Sequence, residues 1–129
     1  MRGLLDTNVL IYAYFIDTKK HGIARRILNS LDEWLVPYIV LVELVWFGRG
    51  AGLDDKRIRD MTLTFLSDNR FRLIHNELEE IVDSLAVENP LDWEDELIIL
   101  IAERMGVPLV TFDENMREKA KRRSIQLIP

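Results

Sequence analysis

A chain of 129 residues with 48% hydrophobic and 30% charged side chains has the make-up of a folded domain with one core, and excludes a disordered or fibrous protein. It holds no cysteine, which excludes disulfides, thiolate metal sites and cysteine nucleophiles and fits a reducing cytoplasm. The formal net charge of −5 argues against nucleic-acid binding by bulk charge alone, yet leaves room for a nucleic-acid enzyme whose acids are neutralised by bound metal.

Gly3-Leu4-Leu5-Asp6-Thr7-Asn8-Val9-Leu10 reads as a short apolar strand that ends on a carboxylate and leads at once into a helix. Thr7 or Asn8 is expected to cap a helix starting near Val9 and reaching Phe15, because a short side-chain oxygen accepts from a free first-turn N–H. No signal peptide is expected, since Met1-Arg2 leads straight into a strand charged at position 6. Asp17-Thr18-Lys19-Lys20 breaks the helix, and His21 to Leu31 carries Ile23, Ala24, Ile27, Leu28 and Leu31 at amphipathic helical spacing. Trp34-Leu35-Val36 predicts a second strand, stopped by Pro37, which suits the first turn of the next helix. That helix passes through Val42, Glu43 and Phe47 and is expected to end in Gly48-Arg49-Gly50-Ala51-Gly52. Leu35 to Phe47 is the most apolar run; it is too short for a membrane span and contains Glu43.

Asp54 predicts a cap for a further helix with Ile58, Met61, Phe65 and Leu66 inward. Phe71 to Ile74 predicts a third strand and Leu78 to Val87 a helix. Asn89-Pro90-Leu91-Asp92 turns into Trp93 to Ala102, whose flanking acids and stop at Gly106 favour a buried helix over a strand. Val107 to Phe112 predicts a fourth strand, Asn115 to Arg123 a basic helix, and Ile125 to Ile128 a last strand. Alternation of strands and helices predicts one α/β domain over residues 1–129, with a mainly parallel sheet.

Acids total 22, so an acid at any one position means little; the company of each matters. Glu43 is the one charge between Leu35 and Phe47, and a carboxylate on an apolar helix costs several kcal/mol to desolvate unless compensated by an arginine, a proton or a metal. Asp92, Asp95 and Glu96 share one helical face near its start, where capping by Asp92 is the plain alternative. Asp113 repeats the setting of Asp6: apolar strand, carboxylate, helix. In a parallel sheet, ligands bind beyond the carboxyl ends of the strands, so Asp6, Glu43, Asp95 and Asp113 can converge there. Four carboxylates at one edge repel and raise one another's pKa unless a divalent cation joins them. Oxygen-only ligands suit Mg²⁺ or Mn²⁺ rather than Zn²⁺, and such sites serve phosphate chemistry.

Leu5-Asp6-Thr7-Asn8-Val9-Leu10, then Val42-Glu43-Leu44, then Asp95-Glu96-Leu97-Ile98 with Ala102, then Leu109-Val110-Thr111-Phe112-Asp113 together resemble the PIN-domain nucleases, and among them the VapC-type toxins of VapBC toxin–antitoxin pairs. The resemblance runs through nearly the whole chain in order. It implies a three-layer α/β/α sandwich with Asp6, Glu43, Asp95 and Asp113 in a metal pocket, and Mg²⁺- or Mn²⁺-dependent cleavage of single-stranded RNA. It also implies a homodimer and a small VapB-like antitoxin as partner. Thr7, Asn8 and Thr111 match polar positions beside the acids, where they would orient them, and Asp92 is expected to help Asp95 in the same way. Pro37 departs from the small polar residue often found ahead of the glutamate helix. Asp92 and Glu94 leave open which acid near Asp95 faces the metal.

Other chemistries fit less well. The glycines from Gly48 to Gly52 follow a helix and lack the Gly-Lys-Ser/Thr ending of a phosphate loop. His21 and His75 have no ligand spacing. Asn8 stands where an aspartyl-phosphate enzyme has its second aspartate. The rival of another class is a catalytically silent PIN-like module that binds protein or RNA, but such a module has no need of four repelling acids. The cations of the last helix, Arg117, Lys119, Lys121, Arg122 and Arg123, read mainly as a solvated face. Trp34, Trp46, Phe47 and Met61 are assigned to the core, with a dimer or antitoxin surface as the alternative.

Overall fold

The computed structural model covers residues 1–129. In chain order the elements are β1 (Arg2–Leu5), α1 (Thr7–Tyr14), α2 (His21–Ser30), β2 (Glu33–Pro37), α3 (Tyr38–Gly50), α4 (Asp55–Leu66) and β3 (Phe71–Ile74). There follow α5 (Leu78–Ser84), a single 3-10 turn at Pro90–Asp92, α6 (Trp93–Met105), β4 (Leu109–Val110), α7 (Glu114–Arg122) and β5 (Leu127–Ile128). The five strands form one sheet, ordered β3-β2-β1-β4-β5, and every pairing is parallel. Leu4 is the central register point, opposite Leu35 on one side and Leu109 on the other. Seven helices cover the sheet in the expected three-layer α/β/α arrangement.

Parallel strands flanked by helices have no wet face, and the central ones read as unbroken apolar runs. Leu4, Leu5, Trp34, Leu35, Val36, Leu109 and Val110 are all buried, and form one core with Val9, Leu10, Leu28, Leu44 and the Ile98-Ile99-Ile101 ridge of α6. The stretch from Trp93 to Ala102 is therefore helical, as expected, and its apolar end from Leu97 is buried on several sides. Trp34 and Met61 belong to this core, and the Trp34 indole N–H donates to the Leu28 carbonyl at 2.9 Å.

Several boundaries differ from expectation. The first helix begins at Thr7 with Asp6 itself as the N-cap, where Thr7 or Asn8 was expected to cap. Gly48 and Gly50 lie inside α3, because a side chain at Gly48 would meet Ile58 Cγ1 at 3.0 Å and Met61 Cε at 3.2 Å on α4. That glycine permits a close helix crossing, and the chain turns only at Ala51-Gly52. Leu66 faces outward at 39% exposure, while Ile58, Met61 and Phe65 face inward as expected. The last two strands are only two residues each, shorter than expected. No helix is long and apolar enough to cross a membrane.

Chain order and sheet order together place the site. The chain builds β1, β2 and β3 outward in one direction, then returns to the other side of β1 for β4 and β5. The order reverses between β1 and β4, and a crevice forms beyond the carboxyl ends of strands at such a point. Asp6 follows β1 directly, and Thr111 follows β4 directly.

Candidate active site

Ten residues line a cleft of about 470 Å³ at this point: Asp6, Thr7, Asn8, Ile11, Glu43, Trp46, Phe47, Glu94, Asp95 and Asp113. The four acids singled out in the sequence are thus brought together from four elements. Crossover helices run against the strands, so their N-terminal turns lie at this same edge, where the positive ends of their dipoles favour carboxylates. Asp6 caps α1, Asp113 caps α7, Asp95 stands in the first turn of α6, and Glu43 lies on α3.

Each acid is held by named contacts. Asp6 is buried; its Oδ1 accepts from the Thr7 backbone N–H at 2.8 Å and its Oδ2 from the Thr111 hydroxyl at 2.7 Å. The Asn8 amide donates to Asp6 Oδ2 and to Thr111 Oγ1, both at 3.4 Å, and its carbonyl oxygen accepts from the Phe112 N–H at 3.2 Å. Asn8 and Thr111 therefore stitch the ends of β1 and β4 together around one carboxylate. The Thr7 hydroxyl donates to Glu43 Oε1 at 2.8 Å, and Asp113 Oδ1 accepts from the Met116 N–H at 3.1 Å. The indole N–H of Trp93 donates to the Ser84 hydroxyl at 2.7 Å and pins the start of α6, next to Glu94 and Asp95.

Asp92 takes the helix-start position expected for it but makes no side-chain cap; Asn89 caps the preceding turn instead. The Asp92 carboxylate binds the Lys119 ammonium at 3.1 Å, and Lys119 lies 3.8 Å from Asp95 Oδ2. Asp92 thus touches the site through a lysine and does not line the cleft. Glu94 does line it, with its carboxyl in hydrogen-bonding reach of Glu43. Helical position is the signal that separates them: Glu94 is on the first turn proper, Asp92 one residue before it. Lys119 and Arg117 were read as surface cations, yet Arg117 donates to the Thr111 carbonyl at 3.0 Å. Arg123 pairs with Glu96 and Glu103, away from the cleft. The histidines are structural or superficial: His21 Nδ1 meets the Tyr12 carbonyl at 2.9 Å, and His75 stacks on Tyr38.

The electrostatics are those of carboxylates crowded in a partly dry site. Burial, above all, lifts Asp6 above the usual range, helped by the charge of Asp113 and opposed by the hydrogen bonds from Thr111 and Thr7. Glu43 is pushed up to about 8, first by burial and then by Glu94. Asp95 rises to about 6 through burial and the Asp6 charge, while Lys119 pulls it back. A hard divalent cation fits this donor set, which is all oxygen and strained by its own charge. Asp95 and Asp113 each keep one oxygen outside the contacts above. No three of the acids close around a single point as a ready-formed site would.

Replacing Thr111 with Val tests how the site is held. Asp6 Oδ2 loses its short hydrogen bond and keeps only the 3.4 Å one from Asn8, and the Asp113 N–H loses its partner, which together costs about 1–3 kcal/mol. Thermal denaturation is expected to show a drop of several degrees for Thr111→Val and little change for Thr111→Ser.

Comparison with known structures bears on the fold. VapC20 of Mycobacterium tuberculosis, described as a toxin cleaving the sarcin-ricin loop, superposes with a TM-score of 0.76 at 16% identity, over 92% of this chain and 95% of that one. VapBC2 of Rickettsia felis, solved on a DNA fragment from its promoter, gives 0.66 at 21% identity over 99% and 98% of the two chains. VapBC-1 of nontypeable Haemophilus influenzae gives 0.64 at 21% identity over 99% and 97%. By sequence, no curated protein matches the chain. The PIN domain model matches residues 3–122, from β1 through α7 and all four acids, and the chain belongs to the PIN-domain family.

Proposed function

We propose that residues 1–129 work as a single metal-dependent endoribonuclease domain that cleaves single-stranded RNA, as the toxin of a type II toxin–antitoxin pair in the cytoplasm. The observation that carries this reading is the convergence of Asp6, Glu43, Asp95 and Asp113 on one cleft at the switch point of the sheet. The toxin–antitoxin complexes among similar folds support a VapB-like antitoxin as partner, and the working form in this reading is a homodimer.

Asp6, Glu43, Asp95 and Asp113 are the residues that would hold Mg²⁺ or Mn²⁺. When bound, such an ion supplies Lewis acidity for water activation and offsets charge on the phosphate and the departing oxygen. The chain's own residues prepare the place. Thr111 and Asn8 fix Asp6 between the two strand ends, and Thr7 fixes Glu43. Lys119, anchored by Asp92, steadies Asp95. Without an ion, Glu43 and Asp95 retain protons more readily than ordinary carboxyls, which limits repulsion.

The test is incubation of a random-sequence single-stranded RNA pool with Mg²⁺ or Mn²⁺, beside Glu43→Gln. Cleavage is expected for the wild type and is reduced roughly 10²-fold or more in the variant, the scale for losing one charge-handling group in a site. Metal-dependent cleavage that survives Glu43→Gln overturns the assignment.

A further inference from the structure

The acid cleft has an aromatic lip that the acid chemistry does not require. Trp46 and Phe47 follow Glu43 by three and four residues on α3, so the three share a helix face, and both rings line the cleft. Phe47 is held edge-on by Phe15 at 5.7 Å between ring centres. Trp46 is 63% exposed and packs on no other ring. An indole so placed keeps a large apolar face in water, and covering it is favourable.

A cation lies just outside the lining, beside the residue that precedes Asp113. Phe112, the residue before Asp113, packs edge-on against Tyr12 at 5.5 Å and carries the Lys20 ammonium 5.0 Å above its ring. Lys20 is exposed and forms no ion pair, so its charge is available to a ligand. The acid cleft thus carries a bare aromatic face in its lining, and an uncommitted cation lies outside it next to Phe112. Grooves for single-stranded nucleic acid combine these two elements, a ring on which a base stacks and a cation that meets the backbone.

Resting on the nuclease reading of this cleft, we propose that Trp46 stacks an unpaired base of the RNA strand beside the acids, with Lys20 meeting a backbone phosphate beyond the Asp113 end. Trp46 then makes the site select single strands, because a paired base offers no free face. The competing occupant is a protein, since Tyr38, Leu41, Val42 and Val45 continue the apolar surface along α3. A protein covering that stripe gives no account of why Trp46 also lines the acid cleft, which favours the strand.

The experiment is fluorescence anisotropy of a short fluorescein-labelled single-stranded RNA, with Ca²⁺ present to neutralise the acids. Trp46→Ala is expected to weaken binding roughly 5- to 150-fold, the range for one lost base stack, and Trp46→Phe to recover most of it. The same sequence as a duplex is expected to bind more weakly than the single strand. Equal affinity for wild type and Trp46→Ala overturns the proposal, as does a Trp46→Ala protein whose only change is a smaller mass in sedimentation. The Mn²⁺ thermal response of each protein separates the two readings. A wild type that responds to Mn²⁺ but binds no RNA removes the stacking site and keeps the metal site. One that does neither removes both.

Discussion

Millimolar Mn²⁺ is expected to raise the melting temperature of the partner-free protein by roughly 10 °C and to leave Asp95→Asn nearly unmoved. The size follows from linkage. A ligand at a hundred times its dissociation constant stabilises the native state by about 2.7 kcal/mol, and about 1 kcal/mol shifts a domain of this length by roughly 4 °C. The direction follows from the cleft, where Asp6, Glu43 and Asp95 are all raised by burial and by one another or their acidic neighbours. An ion relieves that repulsion and gains the electrostatic attraction of every carboxylate it meets. Asp95→Asn keeps the shape of the side chain and removes one charge, so it separates a metal site from a merely acidic surface. Binding is also a cleaner reading than cleavage, because a narrow RNA preference hides activity from a general assay but does not hide an ion. Differential scanning calorimetry or dye-free fluorescence unfolding reads the shift. No response in the wild type at millimolar Mn²⁺ removes the metal-dependent nuclease and leaves a binding module.

The parts of this site that local chemistry dictates were legible in the sequence, and the parts that depend on a helix's rotation were not. Asp6 and Asp113 each end an apolar run and begin a helix, a pattern that puts a carboxylate at the carboxyl edge of a parallel sheet whatever the rest of the chain does. Glu43 stood out because nothing else charged shares its apolar stretch. By contrast, Asp92, Glu94 and Asp95 are three acids within four residues, and one residue is about 100° of helix rotation. Only the packing of α6, pinned by the Trp93–Ser84 hydrogen bond, turns Glu94 into the cleft and Asp92 toward Lys119. The aromatic residues divide for a similar reason. Trp34 is in a central strand and had to be buried, whereas Trp46 and Phe47 lie on a helix that is apolar nearly all round, where periodicity does not show which face is left uncovered. Gly48 misled in the opposite sense. A glycine near a helix end reads as a stop, but this one serves the contact with Ile58 and Met61, a tertiary fact with no local signal.

Glu43→Gln, expected to reduce cleavage roughly 10²-fold or more, is also expected to make the metal-free protein no less stable, and at pH 8 more stable by about 1–2 kcal/mol once screening in the half-open cleft is allowed for. Burial and Glu94 hold Glu43 near 8 in the fold, while an unfolded glutamate titrates near ~4.3. Between those values the folded chain keeps a proton that the unfolded chain has released. Stability therefore falls as pH rises through the window, and the penalty is complete above about 8 and absent below about 4. Asp95, raised to about 6, and Asp6 add to the same slope in its lower part. Glutamine carries no charge to desolvate, still accepts from Thr7 and can donate to Glu94, so the variant is expected to lose the upper part of the slope. Mn²⁺ requires the ionised acids, so its stabilisation of the wild type grows with pH over the range where the metal-free protein weakens. Melting temperatures from pH 5 to about 8.5, with and without Mn²⁺, read both trends. A metal-free stability that climbs with pH in wild type and variant alike takes the repulsion out of the cleft, and with it the physical reason for a cation to bind there.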